Sequence, residues 1–185
     1  WLIDGVNANM DSLQQSDDYF MAQKNHLNLD DMLFKYGVRI NADLLQDKRV
    51  AEIPIVTGYS GNTPQQSFFK WPYYPLLLSN SKHAVAKNLD AIKCEFVSSI
   101  DTIKNNINKT ILLQSSANTR VNPSPHRVSL GILKNPPSSE YFNNPNIPIA
   151  VLLEGDFESV FKNRITPKSN DFDFKENSKN AKMII

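Results

Sequence analysis

One cysteine, six glycines and three histidines are the scarcities that shape this chain of 185 residues. The lone thiol, Cys94, cannot close an internal disulfide, and the scattered imidazoles of His26, His83 and His126 offer no Cys/His spacing for zinc. So few glycines leave no Gly-rich phosphate cradle, whereas eleven prolines and frequent asparagines describe rigid, proline-punctuated loops. Neither sign of charge is in excess: twenty Lys and Arg stand against nineteen Asp and Glu, so no strong overall field draws nucleic acid or an anionic membrane. No apolar run reaches about 18 residues, and no basic and apolar leader opens the sequence. The segment itself is therefore expected to be soluble and not to span a membrane.

What is present suffices for one packed domain, with 41% apolar and 10% aromatic residues. Both ends read as strands, Trp1-Leu2-Ile3-Asp4 and Ala181-Lys182-Met183-Ile184-Ile185, and the natural protein is expected to extend in both directions. Residues 11–24 are weakly helical. The stretch Asn28 to Gly37 carries an Asn or Asp cap, acids in its first turn, apolar residues at helical spacing and a glycine at its end, which predicts a helix. Strand signals follow at 38–40, 53–56, 92–97, 110–116, 127–130 and 147–153, with a turn at Gly58 to Asn62 and a short helix expected at 157–161. The aromatic run 66–78, broken by Pro72 and Pro75, reads as an edge strand or extended loop. Residues 166–180 are polar and are expected to be a mobile loop. Near-continuous apolar runs at 1–4, 110–113 and 149–153 imply strands covered on both faces, which predicts an α/β domain with a mixed sheet.

Candidate chemistry is sparse. Cys94 sits in the alternating Lys93-Cys94-Glu95-Phe96-Val97 with no flanking glycine, which suits a buried structural cysteine rather than a nucleophile on a sharp turn. The histidines are expected at the surface. Asp30 and Asp31 are explained by the helix dipole. Three acids at strand ends, Asp4, Asp101 and Glu154, would form a ligand-binding edge if they converged at the carboxyl side of a sheet. Trp71, Tyr73 and Tyr74, in a proline-rigidified run, suit either core packing or a partner surface. Asn108-Lys109-Thr110 matches a glycosylation sequon.

Taken in order, Trp1-Leu2-Ile3-Asp4, Leu27 to Asn41, Trp71-Pro72-Tyr73-Tyr74-Pro75-Leu76, Ser98-Ser99-Ile100-Asp101-Thr102, Val151-Leu152-Leu153-Glu154-Gly155 and Phe161-Lys162-Asn163-Arg164 resemble the extracytoplasmic part of the GldG family. Members of that family are gliding-motility-associated auxiliary components of an ABC transporter. The resemblance implies a parent anchored in the inner membrane, with this region on its periplasmic face and the transporter's membrane and ATPase subunits, or other envelope proteins, as partners. It also implies a three-layer, flavodoxin-like or class-I glutamine-amidotransferase-like domain. Residues 1–165 would be the later part of that domain, followed by a polar loop and truncated final strand at 166–185. It brings no catalytic residue and no cofactor, and the Gly-x-Cys-x-Gly elbow of an active amidotransferase is missing from the sequence.

Overall fold

The computed structural model describes residues 1–16, 18–163 and 174–185. In chain order the elements are β1 (Val6–Asn7), α1 (Met10–Gln15), β2 (Tyr19–Lys24), α2 (Asp30–Tyr36), β3 (Val38–Ile40), β4 (Asp43–Asp47), β5 (Val50–Ser60) and β6 (Thr63–Leu77). There follow β7 (Ile92–Lys93), β8 (Ile100–Thr102), β9 (Asn108–Gln114), β10 (Thr119–Pro123), β11 (His126–Ser129), β12 (Pro148–Glu158) and β13 (Asn177–Ile184). The strands assemble into five small sheets, β1-β2-β11, β4-β10, β9-β12-β13, β3-β8 and β5-β6-β7, and all their pairings are antiparallel.

This architecture overturns the α/β expectation. Strand makes up 48% and helix 11% of the structure, too little helix to cover a three-layer sheet, so the fold is neither flavodoxin-like nor amidotransferase-like. The misleading signal lies in Val151-Leu152-Leu153, three consecutive buried residues in β12. Such a run suggests a strand between two helical layers. Here Val151 and Leu153 face one core cluster with Leu33, Tyr36, Val38, Ile100 and Phe157, while Leu152 packs with Ala86 and Leu112 on the other side. Both faces are covered, but by one short helix, short strands and a loop rather than by two helical layers.

A second cluster, built on Leu44, Trp71, Tyr73, Tyr74, Phe96 and Val128, holds β1, β2, β4, β6 and β11 together. At α2 the glycine signal is confirmed. Gly37 adopts a left-handed conformation (φ 90°) and its N–H returns to the last turn, whereas the N-cap is Leu29, without a side-chain cap. Several local expectations are corrected. Residues 1–4 are not a strand, Tyr19–Lys24 form strand β2 where weak helix was expected, β6 is the middle strand of its sheet rather than an edge, β7 ends at Lys93, and β12 runs on to Glu158 where a short helix was expected. The interval 166–180 divides: residues 164–173, with Arg164 of the last resemblance motif, lie outside the described residues, and Asn177–Asn180 belong to β13.

Candidate functional site

The β5–β6 hairpin is a long ribbon whose two halves differ. Its turn, Ser60 to Thr63, is made by Gly61 in the left-handed region (φ 60°). At the base, Ile53, Trp71, Tyr73 and Tyr74 are buried, and Ala51 and Ile55 pack on the same cluster. Pairing with β5 is interrupted between Val50↔Pro75 and Glu52↔Lys70, which accommodates Pro72 in the skipped stretch.

Beyond Ile53 the ribbon has no core of its own. Register sets Tyr59 opposite Pro64, Val56 opposite Gln66 and Pro54 opposite Phe68. Directly opposed pairs share a face, and the irregularity between Val56 and Gly58 brings Tyr59 to the face of Val56, so Pro54, Val56, Tyr59, Pro64 and Phe68 form one apolar stripe along the ribbon, crossed by Gln66. The stripe is open to solvent, with Tyr59 71% and Phe68 66% exposed. Pro54 and Pro64 offer no N–H to a further strand, so the ribbon presents a face rather than an edge.

The three aromatic residues singled out in the sequence lie elsewhere. Trp71, Tyr73 and Tyr74 are 0%, 1% and 4% exposed, so as folded they are core and not an accessible partner surface. Two of the rings converge on Phe96: Tyr73 stacks on it at 5.8 Å between centroids and Tyr74 meets it edge-on at 5.5 Å, while Trp71 packs against Tyr73 at 5.3 Å. Phe96 donates its N–H to the Tyr73 carbonyl, which helps hold its unfavourable positive φ. On the ribbon the most exposed aromatics are Tyr59 and Phe68, with Phe69 at 37% on the neighbouring position; the signal available was apolar side chains continuing past the last position a single cluster could cover.

The three acids are not brought together. Glu154 on β12 faces Lys182 on β13, with 2.6 Å between Oε1 and Nζ, and that ammonium holds its carboxyl below the ordinary value. Asp101 on β8 faces Arg39 on β3 at 2.5 Å and lines a shallow depression with Phe34 and Ile103. Each is a cross-strand charge pair. Asp4 alone stands on the rim of an apolar cavity of about 430 Å³. Ile40, Ile92, Ile100, Leu112 and Ala150 form much of its wall, and Trp1 to Ile3, Ile184 and Ile185 complete it. Cys94 also faces this cavity, half-buried, and burial pushes its thiol up, which leaves it protonated and weakly nucleophilic. Ser98, at the same wall, donates its hydroxyl to the Asp43 carbonyl at 2.8 Å.

Sequence reasoning missed two buried carboxylates. Every residue of β4 (Asp43-Leu44-Leu45-Gln46-Asp47) is buried, and Asp43 and Asp47 close its two ends by accepting hydrogen bonds from Ser99 and Ser116. Acids within a run that is otherwise apolar, each matched by a Ser-Ser pair elsewhere, were the available signal. Of the histidines, His26 is exposed, while His126 is half-buried with Nε2 at 2.8 Å from the Tyr73 hydroxyl. Among the described residues no group of three His, Cys, Asp or Glu could hold a metal ion. No helix among them is long and apolar enough to cross a membrane.

The whole chain, residues 1–185, matches the family described as an ABC-type uncharacterized transport system, and the protein belongs to that family of ABC-transport auxiliary components. No curated protein and no solved structure matches it.

Proposed function

We propose that this protein is a non-enzymatic binding and interaction module of its ABC-type transport system. In this reading it works on the periplasmic face of the inner membrane, in a membrane-anchored parent, and docks the transporter's own subunits through the exposed face of the β5–β6 ribbon. The observation that carries it is the stripe of Tyr59, Val56 and Phe68, an apolar surface that the ribbon cannot bury against itself. Rigid aromatics on such a surface are what protein interfaces use as anchors. Family membership supports transporter subunits as the partners. The link to gliding motility rests on the resemblance of the motifs alone. A non-enzymatic role is supported by the family and by the protonated Cys94 thiol.

The test is co-purification. The full-length parent, expressed with the membrane and ATPase subunits of its own system, is expected to retain them, and a variant with Val56→Ser, Tyr59→Ser and Phe68→Ser, all three exposed, is expected to release them while the domain stays folded. Unchanged retention by that variant contradicts the docking surface.

A second reading, a small-ligand sensor at the sheet ends, is favoured by the apolar cavity with Asp4 on its rim. Ala150→Phe, which fills that cavity, is expected to abolish uptake of an apolar fluorescent probe if the cavity is a binding site. Equal uptake by the variant rejects it.

A further inference from the structure

Where β2 and β11 meet the β4–β10 pair lies a second cavity of about 380 Å³ that shares no wall with the apolar one. Its lining includes Gln46, Tyr73, Arg120, His126, Arg127 and Asp18. Gln46 follows Leu44 on the same face of β4, so it continues the line of a core leucine and ends beside Tyr73 at the margin of the core. It is 1% exposed, and its Oε1 has no hydrogen-bond partner among the described residues. Buried amides are normally bonded at both ends, so this one is incomplete. The oxygen is the acceptor that a donor on a guest would complete.

The groups around it differ in how far they are committed. Tyr73 and His126 are bonded to each other; burial pushes the phenol up to about 12 and, with the nearby Arg120, pushes the imidazole down. Both are therefore neutral near pH 7. Arg127 is held by Asp18 at 2.6 Å and lies over the Tyr19 ring at 4.1 Å. Arg120, the cross-strand partner of Gln46, lies over the Tyr141 ring at 5.4 Å and has no carboxylate within ion-pair distance among the described residues. Among the described residues the cleft thus holds one guanidinium without an ion-pair partner next to an incompletely bonded amide.

We propose that this cleft binds a small carboxylate that carries its own hydrogen-bond donor, such as an N-acylated amino acid, with the carboxylate on Arg120 and the donor directed to Gln46. A guanidinium fork matches a carboxylate in two parallel hydrogen bonds. Phosphate fits less well, because its second charge would meet only Arg127, already neutralised by Asp18, and Asp18 would repel it. The proposal is independent of the docking surface on the ribbon, which is on different residues.

The experiment titrates isotope-labelled protein with N-acetylglycine, N-acetylglycinamide and inorganic phosphate while following the Gln46 side-chain amide, Arg120 and His126 by NMR. N-acetylglycine is expected to shift all three signals saturably, and the neutral amide to bind at least roughly tenfold more weakly. Arg120→Gln is expected to weaken N-acetylglycine by about tenfold with the rest of the spectrum unchanged, and Arg120→Lys, which keeps the charge and loses the fork, to fall between. The proposal is overturned if the three signals stay still up to about 20 mM probe. It is also overturned if the neutral amide or phosphate binds as well at the same residues, or if Arg120→Gln binds as wild type does. Should Arg120→Gln unfold, the comparison of the three probes on wild-type protein still decides.

Discussion

Asp47 accepts two hydrogen bonds from a single serine on a distant loop, the Ser116 N–H at 2.8 Å and the Ser116 hydroxyl at 2.6 Å. It also accepts from the Arg49 N–H at 2.8 Å and the Thr119 hydroxyl at 3.1 Å. A buried carboxylate without a cation is tolerated only when donors surround it, and here they tie three segments to the end of β4. Asp47→Ala is expected to lose about 1.5–3 kcal/mol in urea denaturation, and Ser116→Ala about 1 kcal/mol. In the Asp47→Ala background the serine substitution should cost little more, since the two share one interaction. Additive losses would contradict the clamp.

At the opposite end of the strand, Asp43 accepts from the Ser99 N–H at 2.8 Å and the Ser99 hydroxyl at 2.5 Å. Burial nevertheless pushes its carboxyl above the ordinary value; the Ser99 bonds pull against that, and Asp101 adds to it. A group that holds its proton more tightly in the folded chain stabilises the fold at low pH, and that contribution is lost as pH rises through its folded value. Wild type is therefore expected to gain stability relative to Asp43→Asn as pH falls from about 7 toward about 4. Carboxylates common to both proteins cancel in the difference. Urea midpoints of both at the two pH values check this, and a difference independent of pH contradicts it.

Gly5 is fixed by close approach. A Cβ there would stand 2.7 Å from the Asn41 carbonyl oxygen and 2.8 Å from the Ser98 hydroxyl, and the Gly5 carbonyl accepts the Asn25 N–H at 3.0 Å. Backbone oxygen cannot swing aside. Gly5→Ala is expected to cost about 1–3 kcal/mol by overpacking, read by thermal unfolding. A variant as stable as wild type would show that the β1 turn is looser than described.

Trp71 and Tyr59 stand on one hairpin and should respond oppositely. Trp71→Ala is expected to cost about 3–5 kcal/mol of stability, the ring being fully buried. Tyr59→Ser and Phe68→Ser should stay within about 0.5 kcal/mol of wild type. Calorimetry of the three variants checks the division. Loss of stability in Tyr59→Ser would place that ring in a core rather than on a free face.

The sequence made some of this legible and misdirected the rest, for identifiable reasons. Gly37 could be read as a helix end because only its backbone angle mattered, and β3, β9 and β12 showed in their apolar content. The sheet arrangement did not, because Val151-Leu152-Leu153 looks alike between two helical layers and between two small clusters. The aromatic run suits core or partner surface equally well as a sequence, because proline and aromatics occur in both, and the partner surface expected at Trp71, Tyr73 and Tyr74 falls on residues that are buried here. Its exposed counterpart needed the hairpin register, since Tyr59 and Phe68 share a face only once β5 and β6 are aligned. Asp101 and Glu154 resembled a ligand edge because their cationic partners, Arg39 and Lys182, are distant in sequence. Gln46 gave no signal at all, since an amide's missing partner is visible only in three dimensions.

The docking of the β5–β6 ribbon on the transporter is tested most directly by site-specific photocrosslinking. A photoreactive amino acid is placed at position 59, 68 or, as control, 179 of the full-length parent, which is expressed with the membrane and ATPase subunits of its own transport system; Lys179 is exposed on β13, in a different sheet from the ribbon. Crosslinks from positions 59 and 68 to one of those subunits, identified by mass spectrometry and absent from position 179, are the predicted result. No subunit crosslink from either ribbon position, or equal yield from position 179, would contradict the account.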